Sequence, residues 1–130
     1  MGPQPGPRQT RILIVDDQPI VREYVEKFLV RAGYVVQQAG SGAEALARLE
    51  AEPFDLVITD NQMPGMSGAE LAQAIKARFP SLPVLMFTGT PPDAPSPWLA
   101  LVLEKPADIG LLVGCVRGLL NAAAGRPAGA

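Results

Sequence analysis

Three acids, a hydroxyl and an ammonium group stand where short apolar runs of this chain finish. Asp16 and Asp17 follow RILIV (11–15), and Asp60 follows FDLVIT (54–59). Thr88 closes PVLMFT (83–88), and Lys105 follows LALVLE (99–104), with Pro106 next. If the ends of those runs share one edge of the fold, the carboxylates crowd together. Two unit charges about 4 Å apart repel by roughly 1 kcal/mol in water and by roughly 4 kcal/mol at an effective dielectric of 20. Acids so placed need raised pKa values or a counter-ion. Lys105 brings one positive charge, and a hard divalent cation would bring two. Mg²⁺ favours one or two carboxylates together with waters and phosphate oxygens. The set therefore reads as part of a magnesium site that a phosphoryl oxygen would complete.

Strands and helices must alternate to bring these groups together. RILIV is a β-branched strand. Ile20, Val21, Tyr24, Val25, Phe28 and Leu29 then recur at helical spacing until Gly33, a natural stop. YVVQQA (34–39) is a more polar strand, suited to a sheet edge. SGAE at 41–44 and again at 67–70 is a capping box opening a helix. The second of these helices runs through Leu71, Ala74, Ile75 and Arg78 and stops at Pro80. FDLVIT, PVLMFT and LALVLE supply three more strands, and a last helix spans about Asp108 to Ala122. Alternation of this kind implies parallel strands with right-handed crossovers. Nearly continuous apolar strands fit a sheet covered on both faces. The fold class expected is α/β, an open doubly wound sheet, with its site at the carboxyl ends of the strands.

Composition narrows the function. The chain of 130 residues suits one compact domain, expected at 11–121 between polar Pro/Gly/Ala-rich tails at 1–10 and 122–130 that read as disordered. A net charge of -2 gives no electrostatic case for nucleic acid or an acidic membrane. Histidine is absent, which excludes histidine ligands, bases and phosphohistidine within this chain. Cys115 is the only cysteine, so no internal disulfide forms and a reducing cytoplasm fits. No signal peptide is evident in MGPQPGPRQT, and the most apolar helical stretch is too short to span a bilayer. Cys115 and Trp98 are read as packing residues. Asp17 doubles as the candidate N-cap of the first helix, with Pro19 in its opening turn.

ILIVDDQ, TDNQMPGMSG, MFTGT and LEKP, in that order and each at a strand end, together resemble the receiver domain of two-component response regulators. The resemblance implies a flavodoxin-like five-stranded parallel sheet of order 2-1-3-4-5. It implies that Asp60 is the phosphoacceptor, with Lys105 and Thr88 assisting. The phosphoryl oxygens would be held by Lys105, the Thr88 hydroxyl and the backbone N–H groups of Asn61 and Gly89. Mg²⁺ or Mn²⁺ would be held by Asp16, Asp17, Asp60 and the carbonyl of Gln62. The donor would be a phosphohistidine on a histidine kinase or a histidine phosphotransfer domain, with small donors such as acetyl phosphate able to substitute. The implied setting is cytoplasmic. Slow hydrolysis of the acyl phosphate would be the only catalytic activity, so the chain is not expected to be an enzyme in the usual sense. Output would pass through protein contacts.

Two departures from the family pattern stand out. TPPDAPSPW (90–98) carries prolines at 91, 92, 95 and 97 where family members usually have a helix. Proline inside a helix costs about 3 kcal/mol, so that helix is expected to be shortened or missing. The usual aromatic switch position falls near Val102, where Leu101, Val102 and Leu103 offer no aromatic ring. The shortened segment also resembles receivers at the C-terminal end of hybrid histidine kinases. Gly110, Gly114 and Gly118 recur every four residues on the last helix. They read either as tight packing within the chain or drift in a Gly/Ala-rich sequence, or as a close contact with a partner or second copy, a homodimer. Rival functions fit less well. A flavin binder needs a Ser/Thr-rich phosphate loop where DDQPI stands, and a dinucleotide binder needs G-x-G-x-x-G there. A haloacid-dehalogenase-type phosphatase needs a second acid at Gln62. The alternative from another class is a receiver-like interaction module that works without phosphorylation.

Overall fold

The computed structural model describes residues 9–94 and 96–123. Five strands, β1 (Arg11–Val15), β2 (Val35–Ala39), β3 (Leu56–Thr59), β4 (Val84–Thr88) and β5 (Leu101–Glu104), form one parallel sheet of order β2-β1-β3-β4-β5. Helices α1 (Pro19–Arg31), α2 (Gly42–Ala51), α3 (Gly68–Arg78) and α4 (Ile109–Ala123) complete the fold. The expected tails lie mostly outside the described residues. Within them, the carbonyl of Thr10 accepts from Val35 N at 2.9 Å.

The helices divide between the two faces according to the alternation of strand side chains. Ile12, Ile14, Leu56, Ile58, Leu85 and Phe87 point to one face, where Val25 and Leu29 of α1 and Leu112 and Val116 of α4 cover them. Leu13, Val15, Val57 and Val84 point to the other, under Ala45 and Leu49 of α2 and Leu71 and Ile75 of α3. Cys115 packs against the first of these cores and Trp98 against the second, as read from the sequence.

Element boundaries have local causes. At the end of α1, Tyr34 N donates to Leu29 O at 3.1 Å and Gly33 N to Val30 O at 3.0 Å. This paired pattern requires a left-handed residue, and Gly33 adopts φ +102°. Ser67 and Glu70 form a reciprocal capping box at α3. At α2 the box is only half made. Ser41 Oγ accepts from Glu44 N, but Glu44 reaches past Ser41 to the N–H of Gly40. Asp17 is not the N-cap of α1. Gln18 holds that position without a side-chain cap bond, and Asp16 Oδ1 accepts from Gln18 N at 3.0 Å instead.

No helix joins β4 to β5 among the described residues, as the prolines imply. Coverage of the sheet on both faces therefore holds for β1, β3 and β4 but fails at β5, where Leu101 and Val102 are 36% and 38% exposed. Two of the three glycines of α4 do not pack tightly among the described residues: a Cβ added at Gly114 or Gly118 would meet nothing within 4 Å, whereas one at Gly110 would stand 2.9 Å from Asp108 Oδ2.

Candidate functional site

Backbone hydrogen bonds carry the sheet one residue beyond the strands and so aim the site. Asp16 N donates to Ala39 O at 3.2 Å, Asp60 N to Val15 O at 3.0 Å, and Lys105 N to Thr88 O at 2.8 Å. The loop after each of β1, β3 and β5 thus starts from a fixed point on its neighbour. As a result, carboxylate oxygens of Asp16, Asp17 and Asp60 all lie within 4.8 Å of one another. Lys105 Nζ sits 3.4 Å from Asp16 Oδ2 and 4.0 Å from Asp60 Oδ2. It also lies over the Phe87 ring, 5.2 Å from the centroid. The peptide bond between Lys105 and Pro106 is cis.

Burial differs sharply within the cluster. Asp17 is exposed, whereas Asp16 is 3% exposed. Burial pushes the Asp16 carboxyl above its ordinary value, and the Asp60 charge adds to this. The Gln18 N–H and the Lys105 ammonium oppose the shift. Arg22 Nη1 also donates to the Asp16 carbonyl at 2.6 Å, tying the loop to α1.

Asp60 is held from below by its own neighbours. Asn61 N donates to Asp60 Oδ1 at 2.7 Å, and Thr59 Oγ1 donates to the Asp60 carbonyl at 2.8 Å. MPGMSG then turns the chain, with Gly65 at φ +79°. The turn brings Gly68 so close that a Cβ there would stand 2.0 Å from the Asp60 carbonyl oxygen. Gly68 N donates to Asn61 O at 2.8 Å, and Ala69 N donates to Asn61 Oδ1 at 3.2 Å. The N-terminus of α3 is thereby fastened directly behind Asp60.

Of the residues singled out from the sequence, Asp16, Asp17, Asp60 and Lys105 form one constellation. Thr88 is fully buried at the end of β4, and its hydroxyl is engaged by Thr90. Gln62 and Gly89 are exposed, each in a loop leaving the same strand ends. Three participants were not foreseen: Thr90, the side chain of Asn61, which donates to Thr90 O at 2.8 Å, and Gly68. Gly68 had a usable signal, since it follows the capping serine only eight residues after Asp60. The Asn61–Thr90 bond spans 29 residues and has none.

The donor set suits a hard divalent cation. It offers oxygen ligands only, and three carboxyl groups face one ammonium group. One carboxyl is buried and resists ionisation without further positive charge.

Comparison with known proteins agrees with this geometry. The family model described as response regulator receiver domain matches residues 12–96. The response regulator receiver protein CpdR of Brucella abortus is 39% identical over 118 residues, covering 87% of this chain and 98% of that protein. The CAI-1 autoinducer sensor kinase/phosphatase CqsS of Vibrio cholerae is 33% identical over 124 residues, covering 87% of this chain but only 18% of the kinase. Among solved structures, response regulator TrrA of Thermotoga maritima in complex with Mg(2+)-BeF superposes with TM-score 0.80 at 32% identity, covering 85% of this chain and 99% of that one. The receiver domain of hybrid histidine kinase CckA gives TM-score 0.74 at 33% identity, covering 85% and 98%. The fold is thus shared with solved receivers of both kinds, a separate regulator and a domain of a hybrid kinase, and the chain belongs to the response regulator receiver domain family.

Proposed function

We propose that the chain accepts a phosphoryl group on Asp60 from a phosphohistidine of a histidine kinase or histidine phosphotransfer domain, and signals through protein contacts. The observation that carries this is the approach of the Asp16, Asp17 and Asp60 carboxylates to within 4.8 Å of one another, with Lys105 Nζ 4.0 Å from Asp60. An Asp60 carboxylate oxygen attacks phosphorus; the P–N bond breaks as the O–P bond forms, and the released imidazole takes up a proton. Such transfers ask a protein mainly for positioning and for charge at the phosphoryl oxygens.

The residues divide that work. The sheet and the Asn61 N–H orient the Asp60 carboxylate. Lys105 turns its ammonium from Asp16 towards a phosphoryl oxygen. Thr88 donates its hydroxyl proton to another, and the N–H groups of Gly89 and of Asn61, the latter leaving Asp60 Oδ1, serve the rest. Asp16, Asp17, Asp60 and the Gln62 carbonyl would hold Mg²⁺ or Mn²⁺, which when bound neutralises carboxylate and phosphoryl charge together. Slow hydrolysis of the acyl phosphate is the only turnover proposed. A cytoplasmic setting belongs to the same proposal. Separately, no helix among the described residues is long and apolar enough to cross a membrane.

The test is beryllofluoride, a phosphoryl mimic, added with Mg²⁺ while Trp98 fluorescence and thermal stability are followed. A metal-dependent shift in the wild type that is lost in Asp60→Asn supports phosphoacceptance. No shift in the wild type favours an interaction module that works without phosphate.

A further inference from the structure

The Thr88 hydroxyl has one proton and two claimants. Its oxygen accepts from Thr90 N at 3.1 Å and lies 3.3 Å from Thr90 Oγ1. A threonine hydroxyl offers one donor and two lone pairs. Either hydroxyl can donate between them; with Thr88 as the donor, its proton goes to Thr90 Oγ1 while its oxygen keeps the Thr90 N–H. Thr90 is in turn tied to Asn61, whose Nδ2 donates to the Thr90 carbonyl at 2.8 Å. Asn61 N also donates to Asp60 Oδ1. Beyond Thr90, residues 91–94 have no hydrogen bond among the described residues, and Pro91 and Pro92 have no N–H to offer. Thr90 is therefore the anchor for the start of the β4–β5 connection, and both of its moorings adjoin the acidic cluster.

The geometry points to Thr90 as a positioning residue that competes with a phosphoryl group on Asp60 for the Thr88 proton. This rests on Asp60 being the phosphoacceptor. Phosphoryl oxygens only accept, so Thr88 reaches them by its proton and must then release Thr90 Oγ1. The same step loosens the Thr90 side chain in the wall of a groove of about 360 Å³ whose lining includes Asn61, Gln62, Met63, Ser67 and Pro91, while the Thr90 carbonyl keeps its bond from Asn61. Occupancy of Asp60 is thereby felt at the surface without a helix between β4 and β5 and without an aromatic ring near Val102. Linkage requires the converse: the Thr90 hydroxyl weakens phosphoryl binding.

Thr90→Val tests this, because it removes Oγ1 and keeps the backbone donor and acceptor. Beryllofluoride is titrated with Mg²⁺ into the wild type, Thr90→Val and Thr90→Ser. One competing hydrogen bond corresponds to about a fivefold change. Thr90→Val should therefore bind the mimic about fivefold more tightly, and Thr90→Ser like the wild type. In a Thr88→Ala background, Thr90→Val should have no effect. Equal or weaker binding by Thr90→Val overturns the proposal, as does the same gain in both backgrounds. If the wild type itself gives no magnesium-dependent response, the assignment of Asp60 fails and this proposal falls with it.

Discussion

Gly68→Ala, at a buried glycine, should damage this protein more than alanine at any of its exposed glycines. The new Cβ would stand 2.0 Å from the Asp60 carbonyl oxygen, 2.8 Å from Asn61 Cα and 2.9 Å from the Asp60 carbonyl carbon. All three are backbone atoms, so no flexible side chain can swing aside. Restoring ordinary contact asks for a shift of about 1 Å or more in the segment that carries Asp60. Overpacking of this kind costs about 1–3 kcal/mol, and losing the Gly68–Asn61 backbone bond adds about 1 kcal/mol. The expected destabilisation is about 2–4 kcal/mol, or roughly 8–16 °C in Tm for a domain of this size. Gly114→Ala provides the contrast, since its Cβ meets nothing within 4 Å. It should stabilise α4 by about 1 kcal/mol through helix propensity alone. Thermal unfolding by circular dichroism measures both, and acetyl phosphate labelling tests whether Asp60 has moved. A Gly68→Ala protein that melts with the wild type and labels at the wild-type rate would refute the close-approach reasoning.

Charge substitutions give further expectations. In EDTA, Asp16→Asn should be more stable than the wild type at neutral pH, because it removes a buried charge and keeps an oxygen for Gln18 N. The raised Asp16 pKa means the folded state binds more protons than the unfolded state between 3.8 and the folded value. Wild-type stability therefore falls as pH rises through that window, and the advantage of Asp16→Asn should vanish below it. Urea titrations across pH check this, and Mg²⁺ should stabilise the wild type but not the variant. Lys105→Met removes the cation 3.4 Å from Asp16. It should lower stability without metal by about 1–2 kcal/mol, with Mg²⁺ restoring much of the loss. A metal-independent loss would contradict the shared-charge picture.

Much of this molecule was legible because its signals are local. Gly33 and Ser67 each end or begin a helix by contacts within a few residues, and the apolar runs declare their own strands. Parallel order then placed Asp16, Asp17, Asp60 and Lys105 on one rim with no knowledge of side-chain geometry. The prolines between 90 and 98 argued against a helix there, and no helix stands there among the described residues. What escaped depends on loops meeting across long separations. Asn61 reaching Thr90, and Gly68 pressing on the Asp60 carbonyl, follow from how the MPGMSG turn closes. Asp17 illustrates a different limit. An acid before Pro19 fits a helix cap by pattern, yet Asp16 meets the Gln18 N–H because the sheet turns its side chain inward.

The most direct measurement is the site of phosphoryl attachment. The protein is incubated with acetyl phosphate and Mg²⁺, the acyl phosphate is trapped by borohydride reduction, and the peptides are mapped by mass spectrometry. One modified residue is expected, Asp60, with labelling lost in EDTA and in Asp60→Asn. Labelling elsewhere, labelling that persists without a divalent cation, or none under conditions where the folded protein binds Mg²⁺ would contradict the role assigned to the acidic rim.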